Sequence, residues 1–267
     1  MDPTALRSLY YDEMRRRLVP PPGRRFHDDG VLARIIGPSP DALDHMVCLS
    51  RLSEDNADAV VAAEVDRARR AGHGIQWNVY DGDLPPDLVT RLTRAGLHEQ
   101  ARETVLVRAS EEASRAATPP PGVEVHRLTR EEELADYFSV DEAVWGTRFT
   151  AWVKRWLVPA LAGATDPVGV FLAREAGMPV GCGWVWLPRG LSFAHLFGGT
   201  VLPSHRRRGV YHAIVAARAR LAQESGYRWL VTDANHNSAP VLRNIGFEPI
   251  GQRIEMVLDA PEVSPSA

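Results

Sequence analysis

A run of nine residues in the last third of the chain, Pro203–Tyr211, limits what this sequence can fold into more than any other stretch. It follows an apolar strand predicted for Leu191–Val201 and opens a predicted amphipathic helix that ends near Ser225 and Gly226. The first N–H groups of a helix lack intrahelical partners and carry the positive end of the helix dipole. Gly209 lets the main chain approach a ligand closely, because it has no side chain. The stretch therefore predicts a binding site for an anion such as a diphosphate.

Three adjacent arginines, Arg206, Arg207 and Arg208, also permit two other interpretations. One is a solvated basic surface, and the other is a contact with nucleic-acid phosphates. The strand before them and the helix after them favour the anion site. A nucleic-acid-binding protein would be expected to have a second basic cluster with interleaved aromatic residues, and the sequence has none. We therefore expect no nucleic-acid partner.

The composition is that of an ordinary globular protein of 267 residues, and its formal net charge of −3 indicates neither a nucleic-acid nor a membrane partner. The two cysteines, Cys48 and Cys182, lie far apart, so we expect no disulfide framework and a cytoplasmic location. No run of about 18 apolar residues predicts a membrane-spanning helix. The first residues lack the apolar core of a secretion signal.

Proline clusters predict how the chain divides. Residues 115–122 contain three consecutive prolines before a glycine, which favours extended backbone and excludes a helix, so they are predicted to be a linker. The linker separates an N-terminal domain at 1–114, which begins with a helix, from a C-terminal domain at 123–259. Residues 260–267 are predicted to be a disordered tail.

Hydrophobic periodicity predicts a mixed α/β (α+β) architecture in both halves. In the first half, we predict strands at 31–36, 74–80 and 103–108 and helices at 54–71 and 87–95. In the second half, we predict strands at 123–128, 168–174, 179–187, 191–201, 227–233 and 249–258. Two helices are predicted within 130–161, one from about residue 210 and one at 238–244. Hairpins followed by strand–helix–strand units indicate a mixed sheet with helices on both faces.

Two motifs in the second half resemble those of the GNAT superfamily of acyl-CoA N-acyltransferases. Val201–Pro203 followed by Arg206–Tyr211 is similar to the family's Val-x-Pro and Gln/Arg-x-x-Gly-x-Gly/Ala, with Tyr211 in place of the last small residue. The Tyr211 ring is expected either to crowd a bound pyrophosphate or to turn away from it. Asn235–Phe247 is similar to the family's Asn-x-x-Ala-x-x-Leu-Tyr-x-x-x-Gly-Phe, with Leu242 at the tyrosine position. The resemblance implies a GNAT fold for about residues 123–258.

The first half resembles an incomplete copy of the same fold, so the whole chain is similar to a tandem GNAT with one working site. The stretch nearest to the glycine motif is Leu49–Asp55, which has no glycine. Its Glu54 and Asp55 place carboxylates where a phosphate would bind, and like charges repel.

The resemblance implies that acetyl-CoA is the cosubstrate and lies along the strand that ends at Val201. Its pantetheine arm is expected to pair with the backbone of Thr200, Val201 and Leu202. Its pyrophosphate is expected to bind the loop and helix start made by Arg206, Arg207, Arg208, Gly209, Val210 and Tyr211. Arg207 and Arg208 are expected to reach either the adenosine 3′-phosphate or solvent. Asn235 is expected to bond a pantetheine amide or, alternatively, to cap the following helix.

The reaction that the resemblance implies is direct attack of an amine on the thioester. The Val201 N–H is predicted to stabilise the negative charge that develops on the carbonyl oxygen. The departing thiolate is a fair leaving group, since a free thiol has a pKa of about 8.5. Leu242 cannot donate a proton, so either Tyr211 or water supplies it, or no group does.

His195 is the candidate general base, because it lies six residues before Val201, where many family members have a glutamate. Histidine accepts a proton near neutral pH. The alternative is a structural histidine within the strand. Asp233 and Glu175 are weaker candidates, since a surface or turn position explains them as well.

The acceptor is expected to bind near the helices within 130–161. Aromatic side chains are frequent there and on one strand face, at Trp145, Trp152, Trp156, Trp184 and Trp186. We interpret them first as core residues, with a pocket for an apolar or aromatic acceptor as the alternative. We interpret Asp141 and Glu142 as a solvated helix face, with recognition of a cationic amine as the alternative.

The sequence thus predicts an acetyl-CoA-dependent N-acetyltransferase for an amine-bearing small molecule or peptide. We expect it to need no metal, to have no membrane partner and to be a monomer or homodimer. The alternative is a non-catalytic acyl-CoA-binding or sensing protein, which Leu242 and the incomplete first half suggest.

Overall fold

The structure is a computed structural model that describes residues 2–18, 20, 23–115, 117–163 and 168–261. The chain forms two compact units. The first unit comprises the described residues of 1–105, 233–236 and 250–267, and the second comprises those of 106–232 and 237–249. The boundary at 115–122 stays a prediction. The predicted disordered tail lies, from residue 262 onward, outside the described residues.

The first unit is a mixed sheet with three α-helices. The helices are α1 (Pro3–Tyr11), α2 (Ala57–Ala71) and α3 (Leu88–Arg94), and a π-helical turn at Asp12–Arg16 follows α1. The strands are β1 (Arg25–Asp28), β2 (Leu32–Ile36), β3 (His45–Ser50), β4 (Ile75–Tyr80), most of β5 (His98–Ala109) and, from Ile250, β11 (Glu248–Leu258).

The strands of the first unit follow the order β1-β2-β3-β4-β11-β5. β3 runs parallel to β4, and β11 runs antiparallel to β4, with Met256 opposite Trp77. Trp77 and Met256 are fully buried in one hydrophobic cluster with Leu32, Val47 and Val61. The last strand of the chain therefore completes the sheet and the core of the first unit.

The second unit contains the helices and strands that surround the predicted site. Its helices are α4 (Ser110–Ser114), α5 (Leu134–Trp145), α6 (Thr147–Leu161), α7 (Val210–Glu224) and α8 (Ser238–Asn244). Its strands are β6 (Val123–Leu128), β7 (Val168–Glu175), β8 (Met178–Trp186), β9 (Phe193–Val201) and β10 (Trp229–Ala234, through Thr232). Their order is β10-β9-β8-β7-β6. β10 and β9 are parallel, and the other neighbours are antiparallel.

The contacts of successive β8 residues show which helix covers each face of the second sheet, because successive side chains of a strand point to opposite faces. A Cβ built on Gly181 would lie 3.0 Å from Ile214 Cδ1 of α7. On the other face, Tyr137 of α5 lies beside Cys182, and Trp156 of α6 packs on Trp184 at 5.6 Å between ring centroids. Helices therefore cover both faces, as the sequence predicts.

Most of the predicted helices and strands are confirmed to within a few residues, and β1, β3 and α4 are not predicted. β3 is missed because its sequence, His-Met-Val-Cys-Leu-Ser, is buried almost throughout and lacks alternation. α7 starts after Gly209 and ends before Gly226, both with left-handed backbone, as the sequence predicts. Among the helices of the described residues, none has the length and apolar character that crossing a bilayer requires.

Candidate functional site

The edge of β9 that faces β10 forms the first part of the site. Among the described residues, the register of the two strands extends to Val231 opposite His195. The next carbonyl group of β9, that of Leu196, accepts a hydrogen bond of 3.0 Å from the Thr232 hydroxyl. β9 then continues beside β8 as far as Val201. In this last part of β9, the edge that faces β10 lies beyond the residues that pair with β10.

Val201 turns its backbone groups toward that edge. The Leu202 N–H donates to the Val180 carbonyl oxygen of β8 at 2.9 Å. Successive residues of an antiparallel strand direct their backbone groups to opposite sides. The Val201 N–H and C=O therefore point away from β8 and toward the edge that faces β10. Of the three strand residues predicted to pair with pantetheine, Leu202 already uses its amide, and Thr200 directs its backbone groups toward β8.

A β-bulge interrupts β9 just before this point. Trp184 lies opposite Phe197 and Cys182 lies opposite Thr200, so one residue of β8 spans two of β9, Gly198 and Gly199. Gly198 has a φ of 55°, which favours glycine. A bulge of this kind locally disrupts the hydrogen-bond ladder and bends the strand that contains it.

The turn into α7 forms the second part of the site. Pro203–His205 makes one 3-10 turn, and Gly209 has left-handed backbone with a φ of 84°. No side chain caps the N-terminus of α7. Its first N–H groups therefore remain available to an anion, which confirms the strand–turn–helix arrangement that the sequence predicts at Pro203–Tyr211.

The three arginines of the turn are exposed, and two of them contact groups within the second unit. The Arg206 Nε donates to the Val201 carbonyl oxygen at 3.1 Å. Arg208 forms an ion pair with Glu175 of β7, and His205 Nε2 lies 3.2 Å from the same carboxylate. Arg207 has a φ of 60°, which is strained for a residue with a side chain. Glu175, a weak candidate for the general base, thus serves to hold the turn.

Tyr211 turns its ring away from the turn and toward the bulge. A Cβ built on Gly199 would lie 3.0 Å from Tyr211 Cε2. The Tyr211 hydroxyl interacts with the guanidinium of Arg218, two helical turns further along α7. The ring thus points toward the bulge, and its position relative to a bound pyrophosphate stays a prediction.

Arg218 is a residue that the sequence analysis misses. Its side chain is almost fully buried, at 1% exposure. Nη1 donates to the carbonyl oxygens of Trp184 at 3.2 Å and Phe197 at 3.1 Å, and Nε donates to Ile214 at 3.3 Å. The sequence alone does not distinguish Arg218 from the other basic residues of an amphipathic helix. The available signal was the pair of strand glycines, Gly183 and Gly199, that make room for it.

His195 lies in β9 on the face that α5 and α6 cover, and it is 7% exposed. Its ring stacks on Phe197, with 4.0 Å between centroids and 22° between planes. Phe197 in turn stacks on Trp184 at 4.6 Å. His195 thus ends a row of aromatic rings within the second unit.

The same row continues through α6 toward the surface. Trp156 contacts both Trp184 and Trp186, and Trp152 lies 5.6 Å from Trp156. Trp145, at the end of α5, is 44% exposed. The inner tryptophans are core residues, as the first interpretation has it, and the outer end of the row is open to solvent.

Asp141 corrects one interpretation of the sequence. The interpretation of Asp141 as part of a solvated helix face is wrong, because the residue is fully buried. Its Oδ2 accepts a hydrogen bond of 2.6 Å from the Thr150 hydroxyl of α6. Burial raises the pKa of its carboxyl group. Glu142 is exposed, as predicted. The hydrogen bond between Thr150 and Asp141 could not be predicted from the sequence, because it joins two helices.

The remaining predicted residues lie outside this arrangement or lack polar groups. Asp233 belongs to the first unit, where it pairs with Arg253 at 3.3 Å and burial raises its carboxyl pKa. Asn235 also belongs to the first unit, and its predicted role stays a prediction. The residue at the N-cap position of α8 is Asn237. Leu242 is buried at 1% exposure in α8.

The described residues bring no three His, Cys, Asp or Glu side chains together as a metal ligand set.

Comparison with protein families gives one match. Residues 127–247 match the model of the acetyltransferase (GNAT) family. This range runs from β6 to the residue before β11, so it includes β9, the turn and α7. A comparison with curated proteins gives no match.

Solved structures with a similar fold cover nearly the whole chain. A GCN5-related N-acetyltransferase from Kribbella flavida is 17% identical, with a TM-score of 0.67 over 97% of this chain and 95% of its own. A tandem GNAT protein from the clavulanic acid biosynthesis pathway is 16% identical, with a TM-score of 0.64 over 99% and 96%. A conserved protein of unknown function from Staphylococcus epidermidis is 11% identical, with a TM-score of 0.70 over 96% and 99%. At these identities the likeness concerns the fold.

Proposed function

Residues 127–247 match the acetyltransferase (GNAT) family model, and on this premise we propose that the chain is a member of that family and transfers an acetyl group from acetyl-CoA to an amine. The family implies an acyltransferase that uses an acyl-CoA. The acetyl group, the amine and the residues that act on them are the parts that we propose.

One observation carries the proposal. The uncapped N-terminus of α7, with Gly209 in left-handed conformation, follows directly on the strand end where Val201 turns its backbone outward. An acyl-CoA has a diphosphate and a thioester joined by an extended arm. Helix N–H groups suit the diphosphate, and a strand edge suits the amides of the arm.

The cosubstrate would be held mainly by main-chain groups. The pyrophosphate accepts from the N–H groups between Arg207 and Tyr211, and the arm pairs with the backbone at Val201. Arg206 and Arg208 are within the turn and add positive charge. Both exchange a present partner for the ligand, the Val201 carbonyl and the Glu175 carboxylate respectively.

The chemical step is a direct attack of the amine nitrogen on the thioester carbon. The new C–N bond forms, the carbonyl oxygen gains negative charge, and the Val201 N–H stabilises it. Collapse breaks the C–S bond, and the electron pair leaves with the sulfur. His195 accepts the proton that the amine loses.

The acceptor would be an amine-bearing small molecule or peptide that enters beside the row of aromatic rings. His195 stands at the inner end of that row, and the exposed Trp145 stands at its outer end. Aromatic faces bind apolar groups and attract cations, so an amine with an aromatic or apolar body suits this surface.

A second function is favoured by Leu242. This buried apolar side chain takes the position of the family's tyrosine and has no proton to donate. A protein that binds acyl-CoA without turnover would tolerate that change, so a non-catalytic acyl-CoA-binding or sensing role is the alternative.

Incubation with acetyl-CoA and a panel of amines distinguishes the two functions. The enzyme releases CoA thiol and forms an equal amount of acetylated amine, identified by mass spectrometry. Aromatic and apolar amines are expected to react fastest. Binding of acetyl-CoA without product from any amine would reject catalysis and support the sensing role.

A further inference from the structure

Arg218 is a buried cation whose partners are mainly carbonyl oxygens. No salt bridge between it and a carboxylate is found among the described residues. Removing a charge from water is costly unless other groups compensate for it. Burial accordingly lowers the pKa of this guanidinium. A buried guanidinium without a carboxylate partner among the described residues is an unusual feature of a helix whose other buried residues are mostly alanine and valine.

The position of Arg218 follows from the bulge of β9. Trp184 and Phe197 lie opposite each other next to the bulge, and Arg218 Nη1 donates to the carbonyl oxygens of both, at 3.2 and 3.1 Å. A Cβ built on Gly183 would lie 3.0 Å from Nη1, and one on Gly199 would lie 2.9 Å from Nη2. Two glycines are therefore required at these positions for the guanidinium to fit.

The same guanidinium acts on Tyr211. Burial raises the pKa of the Tyr211 hydroxyl, while the charge of Arg218 and its hydrogen bond lower it. The other titratable groups that interact electrostatically with Arg218 are Tyr137 of α5 and Cys182 of β8, which lie on the other face of the sheet. Burial raises the pKa of both, so both are neutral in the physiological range. Among these groups, Arg218 is therefore the charged one that lowers the pKa of the Tyr211 hydroxyl.

We propose that Arg218 is a positioning residue for acyl transfer, which holds the bulge of β9 in shape and makes Tyr211 the proton donor to the departing CoA thiolate. This inference rests on the proposed function. It assigns to α7 the role that Leu242 cannot perform in α8.

The C–S bond of the tetrahedral intermediate breaks, and its electron pair goes to sulfur. The Tyr211 O–H proton moves to that sulfur and leaves a tyrosinate. Arg218 offsets the charge of the tyrosinate, and a proton from solvent restores the phenol before the next turnover.

Arg218 is needed because a buried phenol alone is too weak an acid. A tyrosine has a pKa of about 10 and a thiol of about 8.5, and burial increases this difference. Proton transfer is efficient when the donor and acceptor pKa values are close. A fixed positive charge beside the phenol reduces the difference at the moment of transfer.

Four single variants and one double variant test this assignment. Tyr211→Phe and Arg218→Met are each expected to lower kcat by about 10²-fold, the range for loss of a general acid, with KM for acetyl-CoA almost unchanged. The double variant should be no slower than either single one, because both remove the same step. Arg218→Lys retains the charge and should recover part of the rate. Arg220→Met, on the same helix and bonded to the Ser114 carbonyl, is the matched control.

A spectroscopic readout separates this role from simple support of the fold. The absorbance of tyrosinate is followed across alkaline pH in the wild type and in Tyr211→Phe, and their difference reports Tyr211. The same difference in the Arg218→Met background should titrate at higher pH, because the charge that favours tyrosinate is gone. If Arg218→Met does not fold, Gly183→Ala displaces the guanidinium instead, since its Cβ would lie 3.0 Å from Nη1, and it should give the same upward shift.

The outcomes are distinct. An active wild type whose Tyr211 titration is unchanged by Arg218→Met or Gly183→Ala overturns the inference, and so do rate losses that multiply in the double variant. A wild type that binds acetyl-CoA but acetylates no amine contradicts the proposed function, whatever the titration shows.

Discussion

At the scale of single residues, two buried polar side chains of the second unit, those of His195 and Asp141, have different expected roles. His195 stacks in a row of aromatic rings and is the general base that we propose, so it is a candidate for chemistry. Asp141 joins α5 to Thr150 of α6 and has a raised carboxyl pKa, so it is a candidate for stability. Burial alone does not distinguish these roles, but each makes a different prediction.

His195→Gln is expected to lower kcat by about 10²-fold, since general-base catalysis contributes at least that much. Acetyl-CoA binding should be unchanged, because the side chain faces the aromatic row rather than the turn into α7. Steady-state kinetics and calorimetric titration measure the two effects. His126→Gln, on the exposed part of β6, is the control. Equal kcat values for both variants and the wild type would leave His195 as a structural residue.

Asp141→Asn is expected to stabilise the protein at neutral pH and to flatten its stability against pH. A carboxyl group whose pKa is raised in the folded state stabilises the fold below its unfolded pKa of about 3.9. That contribution is lost as the pH rises through the folded value. The asparagine is never charged and still accepts from the Thr150 hydroxyl. Urea unfolding from acidic to neutral pH measures the difference, and parallel curves for the two proteins would contradict the account.

At the scale of secondary-structure elements, β3 of the first unit is paired in a way similar to β9 of the second unit. β3 is also paired in parallel with the next strand, here at Val47 opposite Trp77. The next carbonyl, that of Cys48, accepts from Arg15 Nε at 3.1 Å. Arg15 comes from the turn after α1 and forms two hydrogen bonds of 2.8 Å with Asp83. The chain's own N-terminal segment thus occupies the strand edge where an acyl-CoA arm would pair.

Arg15→Met is expected to lower the free energy of unfolding by about 3–5 kcal/mol, because it leaves the buried Asp83 carboxylate unpaired. Chemical unfolding measures the loss. Arg16→Met removes an exposed ion pair of 3.8 Å with Asp12 and should change stability by less than about 1 kcal/mol. Adding Asp83→Asn to Arg15→Met should recover part of the loss. Similar losses for Arg15→Met and Arg16→Met would show that the buried pair is not important.

Elements with strong local signals could be predicted from the sequence, and contacts between elements could not. The turn at Pro203–Tyr211 and the helix after it were predictable because glycine, basic residues and helical periodicity act locally. The bulge at Gly198 and Gly199 was not, since its register depends on β8. Arg218 was missed for the same reason: its partners are carbonyl groups of two strands.

At the scale of the whole molecule, the chain has two units of related design and, on our account, one acyl-CoA site. The second unit has the uncapped helix and left-handed Gly209. The first unit has Glu54 and Asp55 before α2 and Arg15 at the edge of β3. Each of these features disfavours a bound pyrophosphate or a paired pantetheine arm. We therefore expect one acyl-CoA per chain.

Calorimetric titration with acetyl-CoA tests the central claim, that main-chain amides at the start of α7 hold the pyrophosphate. The wild type should bind one equivalent, and Gly209→Val should bind far more weakly. A side chain there is strained at a φ of 84°, and its Cβ would lie 3.1 Å from Pro120 Cγ. Gly226→Val, at the other end of α7 with a φ of 87° and open space around it, carries similar strain and should bind like the wild type. Undiminished binding by Gly209→Val, or equal losses in both variants, would contradict the claim.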